Sequence, residues 1–218
     1  MAKESLAKMC SRMRLIISTL KIEYPDARCS LDYDSPFQLL LATILSAQCT
    51  DARVNKVTKK LFKKYKTPKD FYDLPLEEIK SNIYSTGFYN NKAKAIKGMA
   101  TAIIDRHNGK FPQTLEEMVN LPGVGRKTAN VVLGNVYNIP SLVVDTHVTR
   151  ISNLLRFVKT KNAVKIEKEL CKIVNKSDWT IFAHLLIDHG RAVCIANRPQ
   201  CNICNISVYC PSNKGVSK

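Results

Sequence analysis

The sequence predicts an all-α protein, and three observations lead there. Apolar residues recur at helical spacing through nearly all of the 218-residue chain. Capping residues, glycines and prolines punctuate these runs at intervals that suit helices. No run alternates apolar and polar residues for long enough to make a strand.

Early in the chain, the apolar block from Phe37 to Ala47 fits a helix over 36–47 and is far too short to span a bilayer. In 51–66, DARVNKVTKKLFKKYK, a stripe of Val54, Val57, Leu61 and Tyr65 faces inward. Lys56, Lys59, Lys60, Lys63 and Lys64 fill much of the rest; Asp51 stands at the N-cap position and Pro68 lies just past the end. A further helix fits 75–84. In 90–108, Ala93, Ile96, Met99, Ile103 and Ile104 keep the spacing until Asn108-Gly109 stops it. TLEE at 114–117 is a capping box that opens a short helix leading into Leu121. Helices also fit 126–136, 146–156, 163–174 and 178–190. Residues 194–218, rich in Cys, Asn, Pro and Ser, cannot build a helix pair and are expected to wrap a metal centre. Composition marks no domain boundary; the one punctuation is Asn138-Ile139-Pro140.

Charge narrows the function. Thirty-four Lys and Arg against eighteen Asp and Glu leave a formal +16. Solubility does not need so large a single-sign excess, so a polyanion is the indicated partner; a generally lysine-rich proteome would produce the same balance. The opening MAKESLAKMCSRMRLIISTL mixes acidic and basic residues without a continuous apolar core or cleavage site, so no signal peptide is expected. Cys10, Cys29, Cys49 and Cys171 are scattered through helical patterns, whereas Cys194, Cys201, Cys204 and Cys210 crowd together. That distribution points to free thiols in a reducing compartment, cytoplasmic or nucleoid-associated rather than secreted, with four cysteines on a metal. Four thiolates in one window hold either zinc or an iron–sulfur cluster. Paired CxxC knuckles, common in zinc sites, are represented here by Cys201–Cys204 alone.

The stretch LPGVGRKTANVV at 121–132 carries the chemistry. Pro122-Gly123-Val124-Gly125 joins two helices, with both glycines expected to permit positive φ and close approach. Main-chain N–H groups of the turn and of the next helix's first turn then face outward, a geometry that suits a phosphate oxygen. Such a hairpin grips a nucleic-acid backbone without reading its sequence. Lys127 sits in the first helical turn, where the dipole disfavours an ammonium ion. It is either one more phosphate contact or a nucleophile, since the dipole, Arg126 and partial desolvation favour the neutral amine.

These residues, together with VVDTH at 143–147 and C-x6-C-x2-C-x5-C at 194–210, resemble the endonuclease III family of helix-hairpin-helix DNA glycosylase/AP lyases. LLLATILSAQCTD at 39–51 and GFYNNKA at 87–93 extend the resemblance over nearly the whole chain. It implies a two-lobed all-α fold with a DNA cleft between the lobes. Residues 29–139 would form a helical barrel lobe with the hairpin, and 1–28 with 140–218 an iron–sulfur cluster lobe. The implied partner is duplex DNA carrying damaged bases or abasic sites, bound by a monomer, with no membrane.

By the same resemblance Lys127 attacks C1′ of an oxidised pyrimidine nucleotide, the base departs, and the Schiff base permits β-elimination. Asp145 stabilises charge on the sugar or assists proton transfer, and its position also suits an N-cap. Gln48 and Phe88 match the residues that enter the vacated stack, although relatives often carry an aliphatic residue where Phe88 stands; core packing is the other reading of Phe88. The DNA backbone would meet Leu121, Gly123, Val124, Gly125 and Arg126, along with Arg198 from the loop IANRPQ. His147 is either a phosphate contact or a structural hydrogen-bonding group. Cys194, Cys201, Cys204 and Cys210 would hold one [4Fe-4S] cluster. An adenine-mismatch glycosylase shares this fold and cluster, but that family is monofunctional and lacks the lysine. A non-catalytic DNA-binding module with a structural metal would need neither Lys127 nor Asp145, and an electron carrier would need neither the charge nor the long helical body.

Overall fold

Most helices begin where a short polar side chain accepts a hydrogen bond from the main chain three residues on. In a computed structural model, which describes residues 4–213, Ser5, Ser35, Thr50, Thr67, Thr114, Asp145 and Asn162 do this. The helices are α1 (Leu6–Glu23), α2 (Pro36–Leu45), α3 (Asp51–Lys64), α4 (Pro68–Asp73), α5 (Leu76–Ile83) and α6 (Tyr89–His107). They continue as α7 (Leu115–Val119), α8 (Arg126–Val136), α9 (Thr146–Leu154), α10 (Ala163–Leu170) and α11 (Trp179–Ala192). Short 3₁₀ turns supplement them, and the described residues contain no strand. Among these residues no helix is long and apolar enough to cross a membrane.

Several local expectations need correction. Thr50, not Asp51, caps α3; Asp51 lies in the first turn and accepts a hydrogen bond from Ser30 Oγ. Pro68 does not merely lie past a helix but opens α4, where its missing N–H costs nothing. There Thr67 and Asp70 form a reciprocal capping box. The segment predicted helical over 163–174 stops at Leu170, although Ile173 and Val174 still reach the core from the next turn. The segment predicted over 146–156 ends at Leu154, and Arg156 turns the chain away at φ 56°. Of the four scattered cysteines only Cys10 lies within a helix, and none of the eight cysteines is paired in a disulfide.

The chain divides into two compact units. One is Cys29–Ile139; the other joins the chain end up to Arg28 with the part from Pro140 on. In the central unit α6 packs on α2, α4 and α5, while α8 packs on α2 and α7. Its core includes Leu39, Leu40, Leu41, Ile79, Ile96 and Met99. In the other unit α11 packs on α1 and α9 over Met13, Ile16, Ile166, Phe182 and Leu186.

Arg12 fastens three segments of that second unit. Its guanidinium donates to both carboxylate oxygens of Glu4, at 3.0 and 2.7 Å. Nη1 donates to the carbonyls of Leu155 (2.9 Å) and Tyr209 (3.1 Å), and the group lies 4.1 Å above the Phe157 ring. The hydrogen bonds from Arg12 hold the Glu4 carboxyl below the usual carboxylate range. Tyr209 precedes Cys210, so α1 is tied directly to the cysteine-rich end. Arg12→Met should keep the stem packing but orphan two carbonyls and a carboxylate. Stability should fall by about 2–3 kcal/mol, visible in thermal melting as roughly 4–12 °C.

Candidate active site

The hairpin is held by close packing against α6. Gly123 has φ +75°, and a Cβ built on it would lie 2.4 Å from the Ala95 Cβ, so only glycine fits. Leu121 and Val124 are buried (3 % and 6 % exposed) and anchor the turn in the central core. With those side chains turned into the core, any meeting of these two residues with the DNA backbone falls to main-chain groups. The Val124 N–H is also committed, donating to Leu121 O at 3.1 Å. Gly125 differs from expectation: its φ is −92° and a Cβ there would meet nothing within 4 Å. It is the N-cap residue of α8 and offers no side chain to cap it. The first main-chain bond into that cap runs from Ala129 N to Gly125 O, so the N–H groups of Lys127 and Thr128, in the first helical turn, have no intrahelical acceptor.

Lys127 is the second residue of α8, exposed beside exposed Arg126. The partial desolvation expected from the sequence is therefore not supplied by burial within the chain. What the fold does supply is position: the amine projects from the dipole-positive helix end immediately after an anchored glycine turn.

Asp145 caps α9, its Oδ1 accepting from Val148 N at 2.8 Å. Its Oδ2 lies 3.0 Å from His147 Nδ1. One carboxylate thus orders the helix start and orients the imidazole. Gly190 of α11 allows α9 to come close, since a Cβ there would lie 2.6 Å from His147 Cδ2 and 3.1 Å from Arg150 Nη2. His184, which no sequence motif marks, is half-buried near this carboxylate. Burial pushes its pKa down and the charge of Asp145 opposes the shift.

Gln48 and Phe88 share an unusual backbone. Both are exposed non-glycine residues in the left-handed region, at φ 54° and 50°. Phe88 is 63 % exposed, which excludes core packing for its ring. Both lie in the same unit as the hairpin.

Cys194, Cys201, Cys204 and Cys210 all line one cavity of ≈ 580 Å³. Burial pushes the thiols of Cys194, Cys204 and Cys210 up, so they need a strong cationic partner to exist as thiolates. Among the described residues no three His, Cys, Asp or Glu side chains close tightly on a single ion. The cavity is large enough for a polynuclear cluster, and the soft donor set fits iron–sulfur chemistry. Arg150, also outside every sequence motif, donates to the Cys194 carbonyl at 2.5 Å. His189 Nε2 lies 3.7 Å from Cys204 Sγ, and its Nδ1 lies 3.3 Å from the Tyr24 hydroxyl. Arg198 is exposed on the loop between Cys194 and Cys201, which is closed by Gln200 N donating to Val193 O.

Comparison with known proteins gives consistent relationships. Residues 41–176 match the family described as HhH-GPD superfamily base excision DNA repair protein. The chain is 47 % identical over 211 residues to endonuclease III of Synechocystis sp., covering 95 % of this chain and 96 % of that one. It is similar at 45 % identity and a TM-score of 0.89 to a non-covalent endonuclease III–DNA complex, over 94 % of this chain and 96 % of that one. A trapped endonuclease III–DNA covalent intermediate matches with the same identity and TM-score, over 94 % and 97 % of the two chains.

The two hairpin glycines should separate cleanly. Gly123→Ala combines a left-handed φ with a clash against Ala95 and should cost roughly 2–4 kcal/mol in urea denaturation. Gly125→Ala should stay within about 1 kcal/mol of wild type. A loss of DNA affinity in Gly125→Ala at preserved stability would mark the outer face of the turn as the contact.

Proposed function

The chain belongs to the endonuclease III family of HhH-GPD base excision DNA repair proteins, and from that premise we propose that it is a bifunctional DNA glycosylase/AP lyase for oxidised pyrimidines in duplex DNA. One observation carries the reading: an exposed lysine, Lys127, directly after an anchored glycine turn at a helix N-terminus. The outward N–H groups there suit a phosphate, and holding the DNA backbone places a sugar within reach of the amine. The damaged nucleotide leaves the stack first. Gln48 and Phe88 occupy the space it leaves, and Arg126, His147 and Arg198 contact phosphates.

Lys127 Nζ then forms a bond to C1′ as the C1′–N bond to the base breaks, and the base departs with the electron pair and takes up a proton. Asp145 stabilises the positive charge developing on the sugar and assists proton transfer. Ring opening leaves a protonated Schiff base, which acidifies the 2′ hydrogens. Loss of a 2′ proton expels the 3′ phosphate, and water releases the amine. The substrate duplex is bound by a single copy of the chain in a reducing compartment, cytoplasmic or nucleoid-associated.

Cys194, Cys201, Cys204 and Cys210 would hold one [4Fe-4S] cluster, which when bound supplies iron–thiolate bonds that order the loop carrying Arg198. Among the described residues from 194 onward, Ile206 is the sole buried side chain, so apolar burial contributes little to that loop.

Two measurements test these assignments. Lys127→Gln should remain folded yet lose borohydride trapping on duplexes with an abasic site or an oxidised thymine; undiminished trapping would move the nucleophile elsewhere. Anaerobically purified protein should contain about four irons and four acid-labile sulfides per chain. Cys201→Ser should lose both iron and DNA affinity, whereas Cys10→Ser should keep them. One zinc and no sulfide would replace the cluster while leaving the lysine chemistry intact.

A further inference from the structure

Lys92, on α6, is a buried cation with no role in the lysine chemistry. It is only 5 % exposed. Its ammonium donates to two main-chain carbonyls, Leu45 O at 2.8 Å and Thr86 O at 2.9 Å. Burying an ammonium is costly unless its protons are satisfied, so these contacts are not incidental. Leu45 is the last residue of α2, whose C-terminal carbonyls lack intrahelical donors and carry the negative end of the dipole. Thr86 ends the 3₁₀ turn Tyr84–Thr86.

Each of these carbonyls stands just ahead of an exposed side chain already placed in the site. Three residues after Leu45 comes Gln48, and two after Thr86 comes Phe88. Both are held at positive φ and both are exposed. Neither residue type readily adopts that backbone, and such conformations persist only where the surroundings impose them. Among the described residues the remaining non-glycine cases are Asn108, Asn138 and Arg156, two of them the asparagine that tolerates this region. One ammonium group therefore joins two turns more than 40 residues apart in sequence, each presenting an exposed side chain from a strained backbone.

We propose that Lys92 is a positioning residue for nucleotide extrusion, setting the relative placement of the Gln48 and Phe88 turns before DNA arrives. The inference rests on the glycosylase/lyase reading and on the roles assigned to those two side chains. Removing a base from intact duplex requires both side chains to enter the stack as the nucleotide leaves. Cleavage at a preformed abasic site makes a smaller demand, because no base has to be unstacked. Lys92 thus acts on excision more than on elimination.

The test compares single-turnover rates, at saturating enzyme, for excising an oxidised thymine and for cleaving a preformed abasic site. Wild type, Lys92→Met and Lys92→Arg are measured, with folding checked by thermal melting. Lys92→Met, which keeps the stem but no donor, should slow excision by about tenfold or more while abasic-site cleavage falls less than about threefold. 2-Aminopurine beside the lesion should show a smaller rise in fluorescence on binding. Lys92→Arg retains donors and should shift the ratio in the same direction by less; it decides the matter if Lys92→Met melts below the assay temperature. In a Gln48→Ala/Phe88→Ala background, replacing Lys92 should add little to the excision defect. Equal loss of both rates, or no loss of either, overturns the role of Lys92. Wild-type protein that neither excises nor traps would instead overturn the underlying functional reading.

Discussion

The contact on which the central unit's arrangement depends is the approach of the Gly123 turn to Ala95 on α6. A hydrogen in place of a Cβ lets the turn settle against the helix, and the buried Leu121 and Val124 hold it there. Gly98, one turn along the same helix, would place a Cβ 3.0 Å from Pro122, so the helix is small-sided where the turn crosses it. A tightly packed contact of this kind has few alternative arrangements. It sets the direction in which α8 starts, and with it the direction of Lys127.

The same helix organises the neighbouring turns by a different force. Lys92 reaches the carbonyls of Leu45 and Thr86, and Lys97 reaches those of Tyr72 (2.5 Å) and Leu74 (2.8 Å) at the end of α4. Helix ends leave carbonyls that need donors, and an ammonium group can serve several at once. α6 thus both packs into the apolar core of the unit and supplies donors to main-chain carbonyls at the ends of α2 and α4 and at Thr86. Small residues receive the hairpin and lysines gather the turns. The exposed side chains Gln48, Phe88 and Lys127 hang from that framework without contributing to its core.

The other unit reaches rigidity with arginine where the central unit uses lysine. Arg12 and Arg150 each bind main-chain carbonyls around the cysteine-rich end, at Leu155 and Tyr209 and at Gly190 and Cys194 respectively. A planar guanidinium presents several donors in fixed directions, which suits irregular backbone that no helix ladder satisfies. Asp145 does comparable work on the carboxylate side, capping α9 with one oxygen and orienting His147 with the other.

By itself the sequence determined the features that depend on residues close together in the chain. The helical periods, the hairpin PGVG with Lys127 behind it, the Asp145 cap position and the cysteine spacing are all local patterns. Local pattern also misled where two neighbours compete for one role. Asp51 looks like a cap but Thr50 supplies it, and Gly125 looks like a second obligatory glycine although its backbone is ordinary. Only the tertiary structure decided that Gly123 is required by Ala95 and that Phe88 is exposed. It alone revealed that Lys92, one lysine among many in a basic chain, is buried against the carbonyls of distant Leu45 and of Thr86. The Gly123 and Lys92 contacts bring in Ala95 and Leu45, 28 and 47 residues away in the sequence, and no short-range periodicity carries information about which distant group will arrive beside a side chain.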